Sequence, residues 1–308
     1  MNIEATAAAG AARACPGCGA RESAGTFLEE NFDPARLNSA SFASRKNPEY
    51  MCHHMVTCAV CDLAYADRPP PEDELAQAYH VASYDSAEEA EDAANAYIRA
   101  VRPVIRRLDR RDRALEIGTG TGIFLERLRE EGFGELVGVE PSRAAIDAAP
   151  ASRRAWIRAG MFRAADFDAG SFDFICCFMT LEHVRDPGEL ARAVHSLLRP
   201  GGMFVCVTHD RRAWVNRLLG RRSPIVDIEH LQLFSRRSIR ELLSRSGYGS
   251  VSSESFANRY TLRYWLRLAP VPRAPKRALE SVFASPALRA VRMSCNVGNT
   301  IAVGQRPH

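Results

Sequence analysis

From about residue 113 onward, short apolar runs alternate with amphipathic stretches. The runs predict strands at 114–117, 136–140, 155–158, 172–178 and 203–207, with later strands near 251–256 and at 300–303. Apolar residues recur at helical spacing between them, and one predicted helix starts at Ser235 and closes at Gly247. Strands that alternate with helices indicate a parallel sheet covered on both faces, so we predict the α/β fold class.

Two helices are predicted ahead of this region. The stiff connector Arg68-Pro69-Pro70-Pro71 precedes a short helix at 72–80. A longer amphipathic helix follows, and Pro103 is expected to kink it or to begin its main part. We interpret residues 72–112 as a helical lead-in or lid and residues 113–308 as the main domain. An aromatic and basic insert is predicted at about 257–298, either lining a pocket or packing against the N-terminal module.

Composition narrows the class of protein. The 308 residues are 46% hydrophobic, but no apolar run has the length of a membrane span, so no membrane association is predicted. The alanine-rich segment 1–14 lacks the apolar block of a signal peptide, and we interpret it as a disordered tail. Nine cysteines without such a signal predict a reducing, cytoplasmic location.

The charge pattern argues against a nucleic-acid partner. The formal net charge is only +4, and 39 of the 41 basic residues are arginine, lysine occurring at Lys46 and Lys276 alone. Because 37 acidic residues are interleaved with these cations, no concentrated basic surface is expected. Composition leaves the oligomeric state open.

Two CxxC pairs indicate a metal site near the N-terminus. Cys15 and Cys18 form the first pair, Cys58 and Cys61 form the second, and 39 residues lie between them. Two such pairs can supply the four thiolates of a tetrahedral structural zinc site. The segment between them is too short for a core of its own, so a Zn²⁺ crosslink would supply the missing stability. We therefore predict a zinc-ribbon module over residues 15–71, against the alternative of four unrelated buried thiols.

A glycine-rich turn joins the first predicted strand of the main domain to its helix. Gly118, Gly120 and Gly122 alternate with threonines, and glycine there lets the backbone turn tightly and approach a ligand. Glu140 ends the next apolar run about 20 residues later, where an acid can accept hydrogen bonds from ribose hydroxyls. The strand, turn and helix order is typical of a nucleotide-binding site.

This turn and acid resemble motif I and the following acidic strand end of class I S-adenosylmethionine (SAM) methyltransferases. Four further segments resemble the small-molecule branch that includes the ubiquinone-pathway enzymes: 172–175, 181–184, 198–202 and 229–235. The double CxxC is similar to the zinc ribbon of some sugar methyltransferases. The resemblance implies a Rossmann-like sheet of strand order 3-2-1-4-5-7-6, with the ligand crevice at the carboxyl ends of the strands.

The resemblance also implies which residues contact SAM. They are Glu116, Gly118, Thr119, Gly120, Glu140, Pro141, Met161, Phe162, Met179 and Thr180. Relatives often carry an aspartate for the adenine amino group after the third strand, where this chain has Met161 and Phe162. That acid is missing, so Phe162 and the backbone are expected to hold the ring.

Methyl transfer from a sulfonium needs alignment above all, and a base only if the acceptor must lose a proton. His230, His183 and Tyr84 are the catalytic candidates. For each of them a structural role is the alternative: packing for Tyr84, and helix capping or packing for His183. Glu182-His183 resembles part of the metal-binding acidic cluster of ubiquinone-type enzymes, but the additional upstream acid is absent, so no catalytic metal is predicted.

The sequence therefore predicts SAM-dependent methyl transfer to a small-molecule acceptor, such as a sugar or another hydroxylated or aminated metabolite. One alternative is an RNA methyltransferase whose zinc module grips the substrate. Against it, residues 178–181 read Phe-Met-Thr-Leu and lack the Asn/Asp-Pro-Pro-aromatic signature of enzymes acting on exocyclic base amines. The other alternative is a SAM- and zinc-binding scaffold without turnover.

Overall fold

The computed structural model describes residues 12–44, 46, 48–84, 87–269, 283, 285, 288 and 290–308. Its strands are β1 (Ser23–Leu28), β2 (Met55–Cys58), β3 (Ala64–Ala66), β4 (Arg113–Ile117), β5 (Glu135–Glu140), β6 (Ile157–Ala159), β7 (Phe172–Phe178), β8 (Leu198–His209), β9 (Gln232–Leu233), β10 (Ser250–Thr261) and β11 (Arg292–Gln305). Its α-helices are α1 (Glu72–His80), α2 (Ala87–Ile105), α3 (Ile123–Glu130), α4 (Arg143–Ala148), α5 (Ala151–Arg154), α6 (Pro187–Leu197), α7 (Trp214–Leu219), α8 (Arg236–Arg245) and α9 (Leu262–Leu268). Short 3₁₀ turns lie at Pro34–Arg36, Ala164–Asp166 and Gly220–Arg222.

The larger sheet has the order β10-β11-β8-β7-β4-β5-β6. Strands β4 to β8 pair in parallel, and β11 runs antiparallel between β8 and β10. When only the strands of this sheet are numbered along the chain, the order is the predicted 3-2-1-4-5-7-6, so the predicted fold class is confirmed. The central strand β7 is buried at every residue, as a strand with helices on both faces requires.

The C-terminal hairpin is longer than the sequence predicted. We expected strands near 251–256 and at 300–303, with an insert between them, whereas β10 continues to Thr261 and β11 begins at Arg292. A bulge after Phe256 is followed by renewed pairing from Asn258 to Thr261. Within that stretch Phe256, Asn258 and Tyr260 are buried and the residues between them are exposed, which is the period of a strand. The predicted insert therefore shrinks to 262–291, of which 270–282, 284, 286, 287 and 289 lie outside the described residues.

Two smaller predictions also shift. Pro103 lies near the end of α2, which begins at Ala87, so Pro103 neither kinks the middle of the helix nor begins its main part. The third strand of the domain, β6, starts at Ile157 because residues 151–154 form the short helix α5. The helix predicted at 72–80 is present as α1.

The zinc-ribbon module shares its sheet with the main domain. The smaller sheet has the order β1-β2-β3-β9, and β9 comes from residues far beyond the predicted module boundary. Tyr65 pairs with Gln232, and the side chains of Leu63 and Tyr65 belong to the same apolar core as β7 and α6. The ribbon is thus built into the molecule.

The predicted N-terminal tail is described only from residue 12, and residues 1–11 lie outside the described residues. Within 12–14, the backbone N–H of Arg13 donates to Asp67 O at 2.9 Å. Its guanidinium donates to Ala66 O at 2.8 Å. This part of the predicted tail is therefore held against β3.

Candidate functional site

One large cavity opens at the carboxyl ends of β4, β5 and β7. Its volume is about 1450 Å³. Its walls come from the ribbon, from α1 and α2, from the turns after the parallel strands, and from the C-terminal hairpin. Every SAM-contacting residue predicted from the sequence lines it, as do His183, His230 and Tyr84.

The glycine turn forms the floor of one end of this cavity. Gly118 has φ +77°, and a Cβ there would lie 2.4 Å from Thr180 Oγ1, so neither the backbone conformation nor the space accepts a side chain. Gly120 has φ +57°, and a Cβ built on it meets no atom within 4 Å. Gly120 therefore leaves open space beside the backbone, as a ligand lying across the turn needs.

Glu116 and Thr119 brace the turn from inside. Thr119 Oγ1 donates to Glu116 Oε2 at 2.5 Å, and both side chains are buried. The backbone N–H groups of Gly118 and Thr119 both donate to Val139 O, which ties the turn to β5. This arrangement fixes the shape of the turn before any ligand binds.

The Glu140 carboxylate ends β5 beside the turn. Its Oε2 accepts from Gly120 N at 2.7 Å, and its Oε1 accepts from Ser142 N at 2.9 Å. The residue is 8% exposed. Burial raises the pKa of Glu140, although the two hydrogen bonds from backbone N–H groups act in the opposite direction. Each carboxylate oxygen keeps a further lone pair, so two hydroxyl donors from the cavity can still be accepted.

The remaining predicted SAM residues surround this carboxylate and turn. Pro141 follows Glu140, and Met161 and Phe162 follow β6, where Phe162 stacks on Phe167 with ring centroids 6.2 Å apart. Met179, directly after β7, has φ +52°. A methionine in the left-handed region is strained, and such strain concentrates at functional sites. Thr180 follows it, its Oγ1 donating to Phe178 O at 3.0 Å.

Three histidines meet at the other end of the cavity. The ring centroid of His230 lies 5.0 Å from that of His183 and 5.3 Å from that of His209. Burial lowers the pKa of His183 and of His209 to about 4, and burial together with its two neighbours holds the pKa of His230 well below the usual value. All three rings are therefore neutral at neutral pH.

Two tyrosines that line the cavity have hydroxyl groups without a partner in the described part of the chain. Tyr84 Oη is buried without a hydrogen-bond partner among the described residues, and the same is true of Tyr79 Oη. The Tyr79 ring packs edge-on against His183 with centroids 5.9 Å apart. A buried hydroxyl without a partner is costly, so both groups are suited to bind a ligand in the cavity.

Sequence reasoning missed an ion-pair group at this end. Lys46 Nζ lies 2.6 Å from Asp227 Oδ1, and both side chains are almost fully buried. Glu229 lines the cavity next to them. The sequence held two signals: Lys46 is one of only two lysines, and Glu229 directly precedes His230.

The aromatic segment formed by the end of β10 and by α9 lines the cavity. Tyr260, Tyr264, Trp265 and Leu268 all face it. Of the two placements left open by the sequence, the pocket-lining one is observed for this part of the chain. Residues 257–261 and 292–298, also assigned to the insert, belong to the two strands of the hairpin.

The four cysteines of the two CxxC pairs form a compact cluster. Their sulfurs all lie within 4.8 Å of one another, with Cys15 Sγ 3.5 Å from Cys61 Sγ and Cys18 Sγ 3.5 Å from Cys58 Sγ. A tetrahedral Zn²⁺ with Zn–S bonds of about 2.3 Å needs sulfurs ~3.8 Å apart. The cluster therefore fits a structural zinc ion.

The three cysteines of the central parallel strands are core residues. Cys176, Cys177 and Cys206 are fully buried in β7 and β8, and burial raises the pKa of each thiol.

In the described part of the chain, no helix is both long enough and apolar enough to span a bilayer.

Comparison with known proteins agrees with this architecture. Residues 87–253, more than half of the chain, match the methyltransferase domain family. The chain is 30% identical over 115 residues to the ubiquinone biosynthesis O-methyltransferase of Pectobacterium atrosepticum, covering 35% of this chain and 48% of that protein. It is 32% identical over 113 residues to the protein of that name from Sodalis glossinidius, covering 34% of this chain and 45% of that protein.

The chain thus spans about half the length of the curated relatives it matches. Among solved structures, a Thermotoga maritima SAM-dependent methyltransferase, described as a possible histamine N-methyltransferase, aligns with 20% identity. That alignment covers 70% of this chain and 91% of the other, with a TM-score of 0.47. On the match over residues 87–253, the chain belongs to the methyltransferase domain family.

Proposed function

We propose that this protein transfers a methyl group from SAM to a small-molecule acceptor. The observation that carries the proposal is a single cavity with a nucleotide-type end and a histidine end. At the first end, the open turn at Gly120 lies beside the buried carboxylate of Glu140. At the second end, three neutral imidazoles meet. A cofactor and an acceptor can therefore share one enclosed space, which in-line transfer requires.

SAM would lie across the ends of β4 and β5. Glu140 would accept from both ribose hydroxyls, and the turn from Gly118 to Gly120 would face the methionine part, supported by Glu116 from below. Pro141, Met161 and Phe162 would enclose the adenine. Met179 and Thr180 would line the sulfonium end, toward the histidines.

His230 and His183 would act at the acceptor end, and Tyr84 is the third catalytic candidate. A neutral imidazole with a free lone pair can activate a hydroxyl or amino group, and both histidines face the cavity. Tyr84 would close over the cofactor from the segment between α1 and α2. A sugar or another hydroxylated or aminated metabolite fits this polar lining, and the curated relatives are named as O-methyltransferases.

Cys15, Cys18, Cys58 and Cys61 would hold a structural Zn²⁺ ion. Zinc binding would fix the ribbon, and the ribbon sheet carries β9, which follows His230 by one residue. We assign residues 15–71 to this module, 72–112 to the helical lead-in and 113–308 to the SAM-binding domain.

The proposal is tested by mass spectrometry of S-adenosylhomocysteine formed from SAM with pools of sugars, phenols, amines and total RNA. We expect turnover with a small-molecule pool. In Glu140→Ala the rate of S-adenosylhomocysteine formation should fall at least 100-fold. Turnover with RNA that disappears after RNase treatment would support the RNA alternative. Calorimetric SAM binding without turnover on any pool would support a scaffold.

A further inference from the structure

A second group of metal-ligating side chains lies inside the cavity, well apart in sequence from the cysteine cluster. His183, Glu229 and His230 each present a ligand atom, and these atoms all lie within 4.8 Å of one another. The side chains of His183 and Glu229 are 17% and 12% exposed, and His230 is 6% exposed. Such a compact, largely buried group differs from an incidental surface cluster.

The hydrogen bonds of the two imidazoles turn Nδ1 of each ring toward a backbone oxygen. His183 Nδ1 lies 3.2 Å from Glu229 O, and His230 Nδ1 lies 2.8 Å from Ile225 O. Carbonyl oxygens only accept, so a neutral ring that donates from Nδ1 keeps the lone pair of Nε2. The His183 ring also has the Met179 carbonyl as a backbone partner, whereas His230 Nε2 has no hydrogen-bond partner in the part of the chain that the structure describes. A backbone carbonyl on the far nitrogen is how proteins orient metal-binding histidines.

One cation serves several buried carboxyl groups at this end of the cavity. Lys46 Nζ lies 2.6 Å from Asp227 Oδ1 and 3.5 Å from Glu49 Oε2, and its charge also acts on Glu229. His183 Nδ1 lies 3.6 Å from Glu229 Oε2. Buried carboxylates are normally paired or bound to a metal. Because a single ammonium group is shared by these carboxyl groups, a bound cation at Glu229 would complete the balance of charge.

We propose that His183, Glu229 and His230 bind one divalent first-row transition-metal ion. Two imidazoles and one carboxylate form the ligand set of catalytic zinc and non-haem iron sites, in which open positions remain for substrate. Imidazole ligands favour such ions over Mg²⁺. This differs from our sequence expectation, because the missing upstream acid is replaced by Glu229 from a distant segment.

The site narrows the acceptor class to molecules that reach the ion through oxygen. A hydroxyl that binds a cation loses its proton to solvent more readily, before the cofactor and the acceptor are enclosed. The oxygen lone pair then forms the bond to the methyl carbon while the carbon–sulfur bond breaks, and sulfur leaves as neutral S-adenosylhomocysteine. This chemical role rests on the proposed function, whereas metal binding itself does not.

Cobalt titration of the protein loaded with one equivalent of zinc, which the four thiolates bind first, tests the site without any assay of activity. Occupied thiolates leave the ribbon unavailable, so Co²⁺ should add one equivalent with weak visible bands and without the strong near-ultraviolet sulfur-to-cobalt absorption. We expect His230→Gln and Glu229→Gln each to weaken this binding at least 100-fold. His80→Gln, an exposed histidine at the end of α1, is the matched control and should bind like the wild type.

Circular dichroism and SAM calorimetry on the same variants separate the possible causes. Both variants should keep their fold and their SAM affinity, because the ligands lie away from Glu140. Equal cobalt stoichiometry in wild type, His230→Gln and Glu229→Gln overturns the site. If the wild type did not bind SAM, the proposed function would be overturned instead. The cobalt titration would still decide whether the metal site exists.

Discussion

A single carboxylate carries most of the specificity proposed for the cofactor end. Glu140 is held by the N–H groups of Gly120 and Ser142, so both oxygens are positioned before the ligand arrives. Orientation of this kind avoids the entropy cost of ordering a flexible side chain on binding.

Glu140→Gln should therefore weaken SAM binding. Hydrogen bonds to a charged group contribute about 1.5–3 kcal/mol, so calorimetry should show a loss of roughly 10- to 100-fold. Glu135→Gln changes the same residue type at the exposed start of β5 and should leave the affinity unchanged. Equal affinities in the two variants would remove Glu140 from the site.

The histidine end predicts a dependence of stability on pH. Burial lowers the pKa of His209 from the ordinary value of about 6.5 to about 4, although the hydrogen bond between its ring and Asn299 acts in the opposite direction. The unfolded chain binds more protons between these values, so the free energy of unfolding falls as the pH drops from 6.5 to 4. Urea unfolding of wild type and His209→Gln should show a shallower fall in the variant. Parallel pH profiles would contradict this assignment.

The residues proposed for the cofactor end could be singled out from the sequence because they lie close together in it. Gly118, Gly120 and Glu140 follow strand ends at fixed spacing, and parallel strands bring those ends together. The partners at the acceptor end could not be found that way. Lys46 and Asp227 are separated by most of the chain, and their contact depends on how the ribbon packs on the main domain.

At the scale of elements, strand β9 connects the ribbon to the catalytic candidates. It pairs with β3 through Tyr65 and Gln232, directly after the segment that contains Glu229 and His230. The amide Nε2 of Gln232 donates to Leu181 O and, at 2.7 Å, to Val184 O, which brackets His183. Gln232 is thus a positioning residue for both sides of the histidine group.

Gln232→Leu should slow methyl transfer with little effect on the cofactor. Without the two hydrogen bonds from the side-chain amide, the 181–184 turn can move relative to His230. We therefore expect kcat to fall at least 10-fold. SAM affinity measured by calorimetry should stay within twofold. Gln77→Leu, an exposed residue of α1, is the matched control. An unchanged kcat in Gln232→Leu would show that the hydrogen bonds from Gln232 to the 181–184 turn are not needed for methyl transfer.

Removal of the ribbon metal should affect the same end of the cavity. In Cys58→Ser we expect loss of bound zinc and a melting temperature lower by roughly 10 °C, because the ribbon strands lose their crosslink while β9 remains paired to them. Metal analysis and calorimetric melting measure these effects. A zinc-free variant with the wild-type melting temperature would contradict a structural role for the ion.

The elements themselves were predicted unevenly. The parallel strands and α1 follow from apolar runs and helical spacing, which are local signals. The ends of β10 and β11 were missed because Asn258 and Arg259 look like turn or surface residues in isolation. Their strand conformation comes from pairing with Cys295 and Ser294, which no local pattern shows.

At the scale of the whole molecule, three parts enclose one reaction space. The parallel sheet supplies the glycine turn and Glu140, the ribbon supplies Lys46, and the C-terminal hairpin supplies Tyr260. Helix α2 closes the side, where Tyr97 stacks on Phe178 at 4.4 Å and on Phe256 at 5.4 Å between ring centroids. Enclosure of this kind excludes water from the transfer step.

The structure of the protein crystallised with S-adenosylhomocysteine tests the central claim most directly. We predict both ribose hydroxyls at hydrogen-bond distance from the Glu140 carboxylate, with the sulfur near Met179 and directed toward His183 and His230. Cofactor density elsewhere, or a ribose that makes no contact with Glu140, would contradict it.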